Sequence, residues 1–175
     1  RADAFDDAKF PTDAATVVLM NPPFPHKASD TPPEAFVDRA MLGLKQRGRA
    51  AVVLPSSLLG ASKKAAWRKA VLKDNTLHAV ITLPGELFQP YAAATTAIIV
   101  LEKGVPHRAD HEVVFCRLTE DGFRLRKGVR LPRPGSQIDA VLAAVRKKTN
   151  TPGFSAAAPL VGDDWAPGIY IEAKP

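Results

Sequence analysis

Apolar residues fall in short runs along this chain, and polar turns separate the runs. Thr16 to Met20 is a continuous apolar stretch that ends abruptly in Asn21-Pro22-Pro23-Phe24. Its length predicts a buried strand, and the prolines predict a stiff exit loop. Thr31-Pro32-Pro33-Glu34 then opens a helix, with Thr31 placed to cap, Pro32 at the first helical position and Glu34 closing a capping box. Phe36, Val37, Ala40, Met41 and Leu44 recur at helical spacing behind it. Gly48 follows that helix, and Ala50 to Leu54 predicts a second buried strand. Ser62 to Leu72 reads as a basic amphipathic helix with Trp67, Ala70 and Val71 inward. His78 to Leu83 and Thr95 to Leu101 are the third and fourth strands.

Strands alternating with helices predict an α/β fold with a parallel sheet. The connection PGELFQPYAAA between the third and fourth strands holds turn residues and no long helix. A parallel crossover needs about a dozen residues or more, usually a helix. The fourth strand is therefore expected to return antiparallel beside the third. After Lys103 the pattern shortens, which divides the chain into an α/β part, 1–103, and a C-terminal extension, 104–175. Within the extension, Glu112 to Leu118 predicts a strand, and Asp121-Gly122 a turn from which Phe123 to Arg126 pairs back as a hairpin. Gln137 to Lys148 predicts a helix with Ile138, Val141, Leu142 and Val145 inward. Trp165 and Tyr170 are the anchors of a tail rich in Pro, Gly and Ala.

Charge changes the picture more than composition does. The formal net charge is +6, and the basic residues are clustered. Lys45, Arg47, Arg49, Lys63, Lys64, Arg68, Lys69 and Lys73 fall in one stretch with no acid. Arg124, Arg126, Lys127, Arg130, Arg133, Arg146, Lys147 and Lys148 fall in another, against Asp139 alone. Such blocks suit a phosphate backbone, and they equally suit a solvated face. No apolar run approaches the roughly 20 residues of a membrane span. The single cysteine, Cys116, excludes an internal disulfide and a cysteine metal cluster, and fits a reducing cytoplasm.

The Asn-Pro-Pro-Phe loop carries a specific chemistry. The exocyclic amine of a nucleobase is a poor nucleophile, because its lone pair is delocalised into the ring. Two acceptors on its two N–H groups favour a tetrahedral nitrogen and concentrate that lone pair. Asn21 supplies one acceptor through its side-chain oxygen, and the Pro22 carbonyl can supply the other. Prolines offer no N–H and fix φ, so the loop presents acceptors from a stiff frame. Phe24 can stack on the base, which makes catalysis mainly a matter of orientation, with no metal required. A plain strand-ending turn is the bland alternative. His26 reads as a loop or phosphate contact, since direct transfer needs no general base. His78, His107 and His111 show no metal-ligand spacing. Ser56-Ser57 lacks a glycine-flanked nucleophile pattern.

VVLMNPPF resembles motif IV of the adenine-N6 DNA methyltransferases, above all the modification subunits of type I restriction systems. RADAF at the start is similar to their acidic motif III. GRAAVVLPSSLLG resembles the strand and loop after the motif V helix, and LHAVITLPGELFQPYAAATTAIIVLEK the family's last two strands, an antiparallel pair at the sheet edge. The resemblance spans residues 1 to 103. It implies the last four strands of a Rossmann-like sheet, the final one antiparallel. It further implies that Asn21, Pro22, Pro23 and Phe24 hold a flipped adenine, that Phe88 stacks on the base from the other side, and that Asp3 hydrogen-bonds the adenine of S-adenosylmethionine. A core position for Phe88 and a terminal charge for Asp3 are the bland alternatives.

The cofactor loop of this fold is a glycine-rich turn. None of the 11 glycines forms Gly-x-Gly. Since motif III stands at the start, the chain is expected to be the substrate-facing half of a methyltransferase domain, to bind S-adenosylmethionine weakly by itself, and to cover an exposed strand edge by self-association. The implied function is adenine-N6 methylation of DNA within a restriction-modification system, with DNA and specificity and restriction subunits as partners. Guanine-N2 methylation of RNA, glutamine methylation of protein and a non-catalytic nucleic-acid-binding remnant are the alternatives.

Overall fold

A computed structural model describes residues 5–8, 10–89 and 94–174. Its elements in chain order are β1 (Ala15–Met20), α1 (Pro33–Gly43), β2 (Leu44–Pro55), a single turn α2 (Ser57–Gly60), α3 (Ala65–Asp74), β3 (Asn75–Thr82), β4 (Thr96–Lys103), β5 (Val113–Arg117), β6 (Phe123–Arg126), β7 (Val129–Pro132), α4 (Ile138–Lys147) and β8 (Ser155–Ala158).

Six strands form one sheet in the order β1-β2-β4-β3-β5-β8, and β6 and β7 form a separate hairpin. β1 runs parallel to β2, and β3 to β5. β4 is antiparallel to both β2 and β3. The short connection after β3 therefore reverses the chain as expected. The position of the pair is corrected: β4 is inserted between β2 and β3, and β5 and β8 extend the sheet beyond β3, so the β3–β4 pair is interior. The reason lies in β5. Val113, Val114, Phe115 and Cys116 are all buried, and a strand apolar on both faces needs a place inside a sheet.

One face of the sheet is covered by α1, α3 and the C-terminal tail, around Val37, Leu44, Val52, Leu77, Leu101, Phe115 and Trp165. The other is covered over β3 and β5 by α4, around Ala79, Ile81, Val114, Cys116, Val141 and Ala144. Over β1 that second face is open, with Val17 62% and Leu19 80% exposed. Trp165 is buried, and Tyr170 stacks on Phe115 with ring centroids 3.8 Å apart.

Several local expectations are revised. Thr31 makes no cap: Pro32 is the N-cap residue of α1 and no side chain caps it, while Glu34 pairs with Lys64 instead of closing a box. β2 starts at Leu44, and Gly48 lies inside it beside Arg47, whose φ is +60°. A Cβ on Gly48 would stand 2.8 Å from the Lys45 carbonyl oxygen, so only glycine fits that kink. On α3, Ala70 is exposed and Arg68 is buried. The Arg68 guanidinium donates to the carbonyls of Leu58 (2.7 Å), Ala61 (3.1 Å) and Asp163 (2.6 Å), and to Asp163 Oδ2 (2.7 Å). Hydrogen bonding to four acceptors is what makes a buried guanidinium tolerable. On α4 the inward positions are Val141 and Ala144, while Ile138 and Leu142 stand about half exposed. The hairpin turn is Lys127-Gly128, with φ of +50° and +76°, and β6 pairs with β7 instead of turning back at Asp121-Gly122.

Candidate active site at the carboxyl end of the sheet

Strand direction assembles the site. β1 is parallel to β2, β2 and β3 are both antiparallel to β4, and β5 is parallel to β3. The carboxyl ends of β1, β2, β3 and β5 therefore share one edge of the sheet, which is where ligands of open α/β folds bind. Asn21-Pro22-Pro23-Phe24 follows β1, Ser56-Ser57 follows β2, and the loop carrying Phe88 follows β3.

Asn21 is exposed, and its side chain makes no hydrogen bond among the described residues. Pro22 is buried and anchors the loop, while Pro23 is exposed. Asp30 fixes the exit: its Oδ2 accepts from the backbone N–H groups of His26 (2.8 Å) and Lys27 (3.1 Å). The sequence reading passed over Asp30. Its signal was present, since an Asp closing a short polar stretch before Thr-Pro-Pro is a common turn former.

Phe24 and Phe88 are both half-buried, and their rings meet edge to face with centroids 5.1 Å apart and planes at 76°. Sequence placed both at one cleft, and the structure brings them together. A base between two rings needs two van der Waals contacts of about 3.5 Å each, so the slot is shut in this conformation and one ring has to swing for a base to enter. The Phe88 loop is a short turn, with Leu87 N–H on the Pro84 carbonyl (3.0 Å) and Gln89 N–H on that of Glu86 (3.1 Å).

Beside Phe24 opens a cleft of about 720 Å³, lined among others by His26, Lys27, Pro55, Ser57 and Lys63. Lys27 and Lys63 are exposed and make no ion pair among the described residues. A cleft with free cations next to an aromatic ring suits a planar, anionic ligand. Asp30 and Glu34 also line it, engaged by the His26 and Lys27 backbone and by Lys64, while Asn21 lines a different shelf, with Leu19, Met20, Ala51, Val53 and Ile98. His26 contributes its backbone N–H to the Asp30 turn, and its ring is exposed. Asp3 lies outside the described residues.

The other three histidines cluster at the opposite end of the sheet. His78 Nε2 lies 2.8 Å from Glu102 Oε2, and the His111 ring sits 5.0 Å from His78 and 5.2 Å from His107. Burial, reinforced by His111 and His78, pushes the His107 imidazole down to about 4, and burial likewise lowers His111. No group of three or more His, Cys, Asp or Glu among the described residues could hold a metal ion. Burial pushes the Cys116 thiol up to about 11, which removes it as a nucleophile.

The profile of the N-6 DNA Methylase family matches residues 1–161. The chain belongs to this family. Two curated relatives agree. The type II restriction enzyme and methyltransferase RM.BcgI of Heyndrickxia coagulans is 29% identical over 126 residues, 69% of this chain and 20% of that protein. The type I restriction enzyme EcoEI methylase subunit of Escherichia coli is 31% identical over 104 residues, 51% of this chain and 21% of that protein. This N-6 DNA methylase chain thus spans about a fifth of the length of these relatives. Among solved structures, the methyltransferase subunit of a type I restriction-modification system from Streptococcus thermophilus superposes with a TM-score of 0.76 at 24% identity, over 98% of this chain and 42% of that one. A putative class I S-adenosylmethionine-dependent methyltransferase from Listeria monocytogenes does so at 0.54 and 22%, over 76% of this chain and 42% of that one. The Rossmann-like methyltransferase fold follows from these likenesses.

Proposed function

We propose that this chain forms the acceptor side of a DNA adenine-N6 methyltransferase of a restriction-modification system, acting in the cytoplasm with DNA and partner subunits. The observation that carries the reading is the free, exposed amide of Asn21 at the carboxyl end of β1, three residues before Phe24, whose ring meets that of Phe88. Membership of the N-6 DNA Methylase family supports the same reaction. A relative named as a methylase subunit supports assembly with other subunits. The open face over Val17 and Leu19 is the surface most in need of a cover, which self-association would supply.

The methyl donor implied by the family is S-adenosylmethionine. The described shelf next to Asn21, lined by Leu19, Met20, Ala51, Val53 and Ile98, is apolar and does not fit a ribose, an amino acid and a sulfonium charge. Asp3 remains the proposed contact to the donor's adenine. The described residues work on the acceptor instead. The Asn21 side-chain oxygen and the Pro22 carbonyl accept from the two N–H groups of the adenine amine and hold its lone pair away from the ring. Phe24 and Phe88 part and clasp the base. The buried Pro22 keeps the acceptors from moving during transfer.

The test is transfer of labelled methyl to DNA by the full-length protein, followed by digestion to nucleosides. Label in N6-methyladenine that vanishes in Asn21→Ala supports the proposal. Label in a guanine of RNA, in a glutamine, or in nothing at all overturns it.

A further inference from the structure

The β6–β7 hairpin is a basic element that the active-site reading leaves unused. It follows β5, whose carboxyl end lies at the same edge of the sheet as those of β1, β2 and β3. The hairpin is not loose. The Leu125 N–H donates to Glu86 Oε1 at 3.0 Å, and Arg130 Nη1 to the Glu86 carbonyl at 3.2 Å. Glu86 stands two residues before Phe88, so the hairpin is bolted to the loop that carries one of the two aromatic rings. Arg130 also pairs with Asp121 and lies 5.5 Å from the Phe123 ring centroid. At the base, the Arg133 N–H reaches the Gly122 carbonyl at 2.7 Å.

Strand alternation then fixes what the other side shows. Leu125 is paired with Arg130, and these face inward. Arg124 is opposite Leu131 and Arg126 opposite Val129, so these four side chains share the outer face. All four are exposed, as is Lys127 at the turn. Arg124, Arg126 and Lys127 make no ion pair among the described residues, whereas the inward Arg130 and the flanking Arg133 both have acidic partners. Leu131 and Val129 share that face with Arg124 and Arg126 and offer an apolar surface along which their stems can lie.

We propose that this outer face contacts the phosphate backbone of the DNA next to the target base, through Arg124, Arg126 and Lys127. Three unpaired cations on a rigid ribbon complement a polyanion. The tie through Glu86 sets those contacts at a fixed spacing from Phe88, so strand register and base position are linked. The inference rests on the nucleic-acid reading of the cleft.

The experiment is equilibrium binding of a short DNA duplex to the full-length protein at rising KCl, followed by fluorescence anisotropy. The triple variant R124S/R126S/K127S is expected to keep its melting temperature and to bind more weakly. The slope of log affinity against log salt is expected to flatten by about 2–3, since each phosphate contact contributes about 0.7–0.9. The charge-keeping variant R124K/R126K is expected to retain the wild-type slope, which separates phosphate contact from a folding defect. Asn21→Ala, which removes no phosphate contact, is expected to keep the wild-type salt slope while losing methyl transfer. An unchanged slope in the triple variant, with wild-type DNA binding intact, overturns the hairpin proposal and leaves the methyl-transfer reading standing. Loss of binding to an acidic partner protein with an unchanged DNA slope overturns it too. Absence of DNA binding by the wild-type protein overturns both.

Discussion

At the amino end of β3 the buried Glu102 carboxylate faces His78 at 2.8 Å and pairs with Arg47 and Arg49 at 3.2 and 3.6 Å. At the carboxyl end of β1 the Asn21 amide makes no hydrogen bond among the described residues. The contrast runs through most neighbours of each, with His107 Nε2 and His111 Nε2 buried and unpaired among the described residues at the amino end. At the amino end, Lys103 Nζ donates to Asp13 Oδ1 (2.6 Å) and the Leu44 carbonyl (2.7 Å). Asn75 joins the Val71 carbonyl to the Gly104 N–H, and Thr76 Oγ1 donates to the Val105 carbonyl at 2.7 Å. At the carboxyl end, Lys27, Lys63, Arg124, Arg126 and Lys127 are exposed and unpaired among the described residues, and two phenyl rings cover each other. Polar groups that satisfy one another hold the sheet together. Polar groups left open on a stiff frame are what a ligand can use.

The sharpest way to break this contrast is Asn21→Ala in the full-length protein. Losing one preorganised hydrogen-bond partner costs about 10²–10³ in rate, and methyl transfer should fall by that factor with no change in melting temperature. Turnover within a few-fold of wild type would remove Asn21 from the chemistry. Next in size is Phe88→Ala. Stacking on an aromatic is worth about 1–3 kcal/mol per base, so binding of DNA with an unpaired target adenine should weaken by the corresponding factor, and binding of DNA without a target adenine should not change.

The opposite end should answer in stability instead. Glu102→Gln keeps the shape and removes the charge. Burial pushes this carboxyl up, but the hydrogen bond and charge of His78, with Arg47 and Arg49, more than offset that and leave it below its ordinary value. Because both arginines are largely exposed and screened, the loss is expected at about 1 kcal/mol, read as a lower denaturation midpoint with methyl transfer unchanged. A fall in transfer without a fall in stability would erase the distinction between the two ends.

The remaining expected effect is a pH slope. The His107 imidazole is held at about 4 in the folded protein against 6.5 in the open chain. Between those values the unfolded chain binds the proton that the folded one refuses. Stability from this group is complete above pH 6.5 and is lost as pH falls toward 4. His111, lowered by burial and by His78 and Lys148 against the opposing pull of Asp110 and Glu102, adds to the same slope. The pair variant H107Q/H111Q should flatten the denaturation midpoint across that window. An unchanged slope would place the acid sensitivity elsewhere.

The loop of the candidate site was legible in the sequence because its evidence is local. Asn21 follows directly on an apolar run, and the prolines behind it declare a stiff loop without any knowledge of the fold. Phe88 was legible through likeness to a family, since an aromatic after a turn says nothing by itself. The hairpin's turn was misplaced because Asp121-Gly122 and Lys127-Gly128 both take positive φ at glycine, and the choice between them depends on which strand finds a partner. Arg68 was missed because periodicity counts it as polar, whereas four acceptors, two of them on Asp163 far along the chain, make its burial favourable.

By itself the sequence determined the α/β alternation, the antiparallel return of β4 and the stiff Asn-Pro-Pro-Phe loop at the end of β1. Each rests on the conformational preferences and side chains of a few adjacent residues. Only the tertiary structure decided that β4 enters between β2 and β3, that β5 and β8 complete the sheet, and that the basic hairpin is tied to the Phe88 loop through Glu86. Those outcomes depend on which apolar faces bury each other across long separations in the chain. That competition is settled by packing, which no local pattern encodes.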